Sequence, residues 1–327
     1  MSCRSVALAA LLVVASVGAA SAADLPKKAP VLKKPAEAPF FIVNDNSVSY
    51  HYEFKATNPG AGATPKHVLS YTHFDVWKYG TNFINIDWLK ATSGQTPSGP
   101  CGLLGQPATG CAPYTEIYGF FRSTFGFNEV FNTKAFSYGP LTDVSLMVGA
   151  DLNTDNTALS SAKRSIEAGI QFSFATPYNG FINLTPTVYK EWQHDGFAVS
   201  YWPAVNPSGD VDFDTTWGFE WLYVQPLGFM PSWLPLTYKF FGTIHGPKGC
   251  GEVCNPGPGL TRTTEYYLQQ NLSLDVGPWL GMRPNMYSIW GGYRYWVNKF
   301  GIDPNQPGGH FVGTKESTWL LGATVSF

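Results

Sequence analysis

The sequence predicts an all-β fold: an antiparallel transmembrane β-barrel of about twelve strands, with long extracellular loops and mostly short periplasmic turns. Three observations predict it. The chain opens on an export signal, it continues in roughly ten-residue segments of alternating polarity, and it stops on an aromatic residue, Phe327. Strand segments of about 9–11 residues are what a tilted crossing of the hydrocarbon layer requires.

The export signal comes first. A basic head carrying Arg4 precedes an apolar run from Val6 to Ala20, and Ala20-Ser21-Ala22 forms a small-residue cleavage site. The run is shorter than the roughly 20 apolar residues of a spanning helix, so residues 1–22 are expected to be a signal peptide. Residues 23–42, with Pro26-Lys27-Lys28 and Lys33-Lys34-Pro35, read as a Pro/Lys-rich periplasmic lead-in without a packed element. The barrel is expected over residues 43–327.

Within it, the alternation marks strands at 43–55, 66–77, 81–91, 114–126, 142–152, 164–175, 180–191, 212–224, 235–244, 263–275, 286–298 and 316–327. From a periplasmic N-terminus, the odd-numbered connections face outward and are mostly long. The even-numbered ones include the tight turns Lys78-Tyr79-Gly80 and Thr176-Pro177-Tyr178-Asn179-Gly180. Two periplasmic connections, 127–141 and 225–234, are longer than ideal and leave one pair of strands open to recount. A soluble β-sandwich would also alternate, but it does not account for an even series of membrane-length strands.

Composition agrees. Aromatic residues make up 16% of the chain and charged residues only 13%, about half the usual share for a soluble domain. Loss of the signal leaves 20 basic against 23 acidic residues, a net charge of about −3, which gives no electrostatic case for nucleic acid. Four cysteines then remain, in two close pairs within Gly/Pro-rich stretches. Disulfides Cys101–Cys111 and Cys250–Cys254 are the expectation in an oxidising compartment. Zinc-type spacing is absent, and neither a metal nor a cofactor is expected.

Side-chain direction follows from parity. With Phe327 toward lipid, Val325, Leu321 and Trp319 share its face, while Thr324, Thr318 and Glu316 face the lumen. The same split places Asn85 and Asp87 inside against Ile84, Ile86 and Trp88, and Glu116, Tyr118, Phe120 and Arg122 inside against Ile117 and Phe121. Glu167 opposes Ile166, Tyr267 opposes Leu268, and Arg294, Trp296 and Asn298 oppose Tyr293 and Val297. A mid-depth lysine or arginine on the lipid face would cost about 2–4 kcal/mol, so the ionisable residues sit where charge is tolerable. The expected inward face is also aromatic: Tyr71, Phe83, Tyr118, Phe120, Tyr189, Phe241, Tyr267, Trp290 and Trp296. Rings beside amides and carboxylates suit a flat solute with a polar edge. The opposing expectation is that the rings plug the lumen, with Glu–Arg pairs as interior struts.

The stretch His73-Phe74-Asp75-Val76-Trp77-Lys78-Tyr79-Gly80-Thr81-Asn82-Phe83-Ile84-Asn85-Ile86-Asp87 resembles the Tsx-type nucleoside-specific channel-forming proteins. Phe136-Ser137-Tyr138-Gly139-Pro140, Tyr189-Lys190-Glu191-Trp192, Gly292-Tyr293-Arg294-Tyr295-Trp296 and the closing Phe327 resemble them as well. The resemblance runs from about His67 to the end. It implies a twelve-stranded monomeric barrel that passes nucleosides by stacking and hydrogen bonding. The cysteine-bearing loops and the lead-in depart from that family.

The expectation is therefore a Gram-negative outer-membrane channel for passive diffusion of small flat polar solutes such as nucleosides. Its partners would be outer-membrane lipid, lipopolysaccharide and the solute. The candidate solute contacts are Phe83, Asn85, Asp87, Glu116, Tyr118, Phe120, Arg122, Glu167, Tyr189, Tyr267, Arg294 and Trp296. A general porin and a closed adhesin-like barrel are alternatives. A barrel-embedded lipid hydrolase is disfavoured, because the histidines are scattered and no Gly-x-Ser-x-Gly elbow occurs.

Overall fold

A computed structural model describes residues 40–59, 63–92, 114–156, 162–194, 207–249, 262–306, 309–310 and 312–327. The signal segment, the lead-in as far as residue 39 and all four paired cysteines lie outside the described residues, and so do both expected disulfides.

Alternation becomes strand at each of the twelve expected places. The elements are β1 (Phe41–Thr57), β2 (Ala63–Trp77), β3 (Gly80–Ala91), β4 (Thr115–Gly126), the short helix α1 (Phe127–Val130), β5 (Leu141–Asp155), β6 (Arg164–Thr176) and β7 (Gly180–His194). There follow β8 (Asp210–Asp212), β9 (Thr216–Pro226), β10 (Leu236–His245), β11 (Glu265–Asp275), β12 (Tyr287–Val297), the two-residue pair β13 (Asn305–Gln306) and β14 (Gly309–His310), and β15 (Lys315–Ser326). Each long strand pairs antiparallel with its neighbour in sequence. β15 returns to β1 with Val48 opposite Val325 and Glu53 opposite Leu320, which closes a ring of twelve strands. β8 extends the β7 edge beyond the ring.

The long periplasmic connections hide no missing strands. Residues 127–140 hold α1 and a knot of rings, Phe127, Phe131 and Phe136, tied by the Asn128 amide donating to Ser137 Oγ at 2.8 Å. The tight turn at Pro177–Asn179 places Tyr178 and Asn179 in the left-handed region, at φ 59° and 61°. Pro186 lacks an N–H to donate, and the β6–β7 ladder skips from the Gly169–Thr187 pair to the Phe172–Leu184 pair around it. The strand expected from residue 212 begins at Thr216 instead. Its first residues are taken elsewhere: Phe213 N–H donates to Glu191 O, and Asp214 N–H donates to Lys248 O.

The sheet is inside out compared with a soluble protein. Glu53, Lys66, Glu191 and Glu316 are buried, while Val188, Leu152, Leu321 and Trp319 are exposed. Charged side chains avoid burial unless paired, and apolar ones avoid water. The outer face therefore suits hydrocarbon and the inner face a polar lumen. Trp88, Trp217 and Trp319 stand outside near one end of the strands; Trp233, Trp279 and Phe327 stand at the other. These are the two aromatic girdles of a membrane-spanning barrel.

Two residues expected to face the lumen do not. Tyr71 points outward, half-exposed, with its hydroxyl donating to Asn46 Oδ1 at 2.8 Å. It belongs to the outward set of β2 with Leu69, since it is an odd number of residues from the inward Val68 and Ser70. Asn298 lies past the end of β12 with φ 54°, where its amide donates to Thr264 O, so strand parity no longer directs it.

Candidate functional site: the lumen

Rings from opposite walls meet in the middle of the lumen. Phe120 on β4 stacks on Phe241 on β10, with centroids 6.3 Å apart. Those two strands are five steps apart along one arc of the ring and seven along the other, so the contact crosses the barrel. The ribbon continues from Phe120 to Phe83 at 5.2 Å on one side. On the other it runs from Phe241 to Tyr267 at 5.9 Å, then to Trp296 at 5.2 Å and Phe300 at 5.8 Å. The single slot expected from the sequence is therefore divided by a septum of rings.

Two arginines, Arg122 and Arg294, organise the charged walls around the ribbon of rings. Arg122 donates from Nε to Glu220 at 3.0 Å and from Nη1 to Asp151 at 2.8 Å, and its Nη2 pairs with Glu167 at 2.5 Å. It reaches them because β5 carries Gly149 beneath it. A Cβ at that position would stand 2.8 Å from Arg122 Cδ. The other arginine, Arg294, donates from Nε to Gln269 at 3.0 Å and from Nη1 to Glu53 at 2.5 Å. Glu316 lies 3.5 Å away, an ion pair without a hydrogen bond.

Three lysines from the extracellular connections reach down to buried carboxylates. Lys163 lies 3.6 Å from Asp151, Lys299 donates to Glu316 at 2.7 Å, and Lys248 donates to Glu191 at 2.5 Å. Burial pushes the Lys248 ammonium down to about 8, with Glu191 opposing the shift. Burial also lowers Lys299, against the pull of Glu316. A desolvated ammonium binds its proton less tightly unless a counter-charge fully offsets the lost water.

A cavity of about 130 Å³ lies on the extracellular side of the septum. Eight of the expected contacts line it: Asp87, Glu116, Tyr118 and Phe120, and with them Arg122, Tyr267, Arg294 and Trp296. The other four stand behind the wall. Phe83 backs Phe120, and Asn85 donates to Asp87 at 2.8 Å. Glu167 is held by Arg122, and Tyr189 stacks on His245 at 3.9 Å while its hydroxyl donates to Glu191. Sequence reasoning missed Lys163 and Lys299, which descend from connections where strand parity gives no direction. It also missed Glu53 and Lys66, whose inward parity was readable in β1 and β2, and left Glu265, inward by parity in β11, out of the candidate contacts. Among the described residues no group of His, Cys, Asp and Glu is disposed to hold a metal ion.

No protein-family model and no curated protein matches the chain. Solved structures do. An outer-membrane channel from Pseudomonas putida F1 is similar at 9% identity and a TM-score of 0.47, over 90% of this chain and 99% of that one. The translocator domain of the autotransporter NalP from Neisseria meningitidis is similar at 9% identity and 0.35, over 87% and 89%. OccK11 from Pseudomonas aeruginosa is similar at 9% and 0.26, over 87% and 95%.

Proposed function

We propose that the chain is a Gram-negative outer-membrane channel through which small flat polar solutes, nucleosides among them, diffuse passively. Outer-membrane lipid and lipopolysaccharide surround it as a monomer. One observation carries this reading: a cavity whose floor is aromatic and whose walls are ionic, on a line between the extracellular ends of the strands and the periplasmic half of the lumen. A flat solute stacks on Phe120, Phe241 or Tyr118, and its polar edge meets side chains already held in place by their partners. Such preorganised walls cost little to reorder on binding. The passage runs down the gradient of the solute.

Reconstitution in planar bilayers tests it. Single-channel current is expected, partly blocked by millimolar adenosine or uridine, and Tyr118→Ala should weaken the block with folding intact. Current indifferent to nucleosides would favour a general porin. A second reading has its own support: the Phe120–Phe241 contact and the Arg122–Glu220 bond both span the lumen, as struts in a closed barrel would. Absence of any current would favour that reading.

A further inference from the structure

The charges that line the cavity do not balance, and the imbalance has a place. Six carboxylates line it: Glu53, Asp87, Glu116, Asp151, Glu265 and Glu316. Five cations face them, and each already has a carboxylate. Lys66 pairs with Glu116, Arg122 and Lys163 with Asp151, Arg294 with Glu53, and Lys299 with Glu316. Arg122 is further engaged by Glu167 and Glu220, which stand outside the cavity wall.

Two of the six are held by neutral donors among the described residues. Asp87 accepts from the Asn85 amide at 2.8 Å. Glu265 accepts from Trp296 Nε1 at 2.7 Å and from the Phe300 N–H at 3.0 Å. Two more present oxygens without a donor: Glu53 Oε2 and Glu316 Oε1 are buried and accept no hydrogen bond, although both side chains are about 99% buried and line the cavity. A buried acceptor without a donor costs roughly 1–3 kcal/mol and more if charged, so these oxygens call for a donor from the cavity.

The rings point the same way. Protein cations already sit over Tyr267 at 5.7 Å, Trp296 at 4.3 Å and Phe120 at 5.4 Å. Among the described residues Tyr118 and Phe241 carry none, and Tyr118 stands opposite Asp87 in the β3–β4 register. An aromatic face beside an uncompensated carboxylate attracts a desolvated organic cation.

We infer that this cavity selects flat solutes that carry a positive charge or an amino-bearing edge, such as aromatic amines and amidines, and rejects anionic ones. The role rests on the channel reading; the binding does not, so the two are measured apart. The purified barrel in detergent is titrated with benzamidinium, benzyl alcohol and benzoate, a cation with N–H donors, a neutral molecule and an anion of one ring, followed by calorimetry and tryptophan fluorescence. The cation should bind about tenfold tighter than benzoate. Asp87→Asn, and independently Glu265→Gln, should each reduce cation affinity about fivefold and leave benzyl alcohol unchanged; heat-modified gel mobility confirms that the variants fold. Benzoate binding as tightly as the cation overturns the inference, and so does cation affinity unmoved by both variants. Cation binding without bilayer current upholds the site and sinks the channel; current in the absence of any preference among the probes upholds the channel and sinks the site.

Discussion

The two arginine clusters use the same chemistry to opposite ends. Around Arg122, guanidinium nitrogens meet Asp151, Glu167 and Glu220. Around Arg294, a single carboxylate, Glu53, is hydrogen-bonded and Glu316 stands off at 3.5 Å; one oxygen of each lacks a donor, as do both oxygens of Glu167 in the first cluster. Both guanidiniums line the same cavity, and each needs the acids that meet it, because the penalty of removing a charge from water is several kcal/mol. What differs is the set of acids in contact: Arg122 is held by three, one of them, Glu220, reached across the lumen, whereas Arg294 has one at hydrogen-bond distance. The first arrangement braces the barrel and the second leaves it receptive.

The largest effect that separates them is charge removal. Arg122→Met leaves the buried Asp151 and Glu167 and the partly buried Glu220 facing one another and should cost about 3–5 kcal/mol, read by urea unfolding in lipid vesicles. Arg294→Met should cost less than half as much; equal costs would break the distinction. Next, Phe241→Ala removes one half of the trans-lumen stack. It should lower stability by about 3 kcal/mol or less and raise single-channel conductance severalfold. If conductance stays put, the septum is not the constriction. Gly149→Val comes third, at about 1–3 kcal/mol, because the new side chain occupies the path of Arg122. In an Arg122→Ala background, where no side-chain atom beyond Cβ remains, that cost should largely vanish, which a double-mutant cycle measures directly.

The smallest effect is a slope. With its folded value lowered to about 8 from an ordinary 10.5, Lys248 keeps its proton longer in the unfolded chain than in the folded one. Between those two values the unfolded state binds more protons, so this group makes stability rise with pH. Below pH 8 its contribution is level. Lys248→Met should flatten the rise; a slope of the opposite sign would show that the Glu191 contact outweighs burial.

Most of the barrel was legible because lipid imposes a rule on every second residue. Val325, Leu321 and Trp319 against Glu316 and Thr318 could be sorted by counting, and so could Glu116, Tyr118, Phe120 and Arg122. Leu320 shows the rule's reach: it is apolar yet faces the lumen, where parity puts it. What could not be read was anything that depends on closure. That Phe120 meets Phe241, or that Arg122 meets Glu220, follows from the circumference and tilt of the ring and from no local pattern. Lys163, Lys248 and Lys299 lie beyond the strand ends, where alternation stops. Hence the lumen's polarity was foreseeable while its division by a septum was not.

The bond between Arg122 and Glu220 joins positions 98 residues apart, and this bears on how the barrel is assembled. A sheet built only as far as β6 already has Asp151 and Glu167 for that guanidinium, but the third acid arrives with β9. An incomplete sheet therefore carries a partly answered charge on the face that would otherwise meet lipid. It has reason to keep that face in water until the later strands come. The same contact that stiffens the finished ring thus makes the half-built one a poor resting place in the membrane.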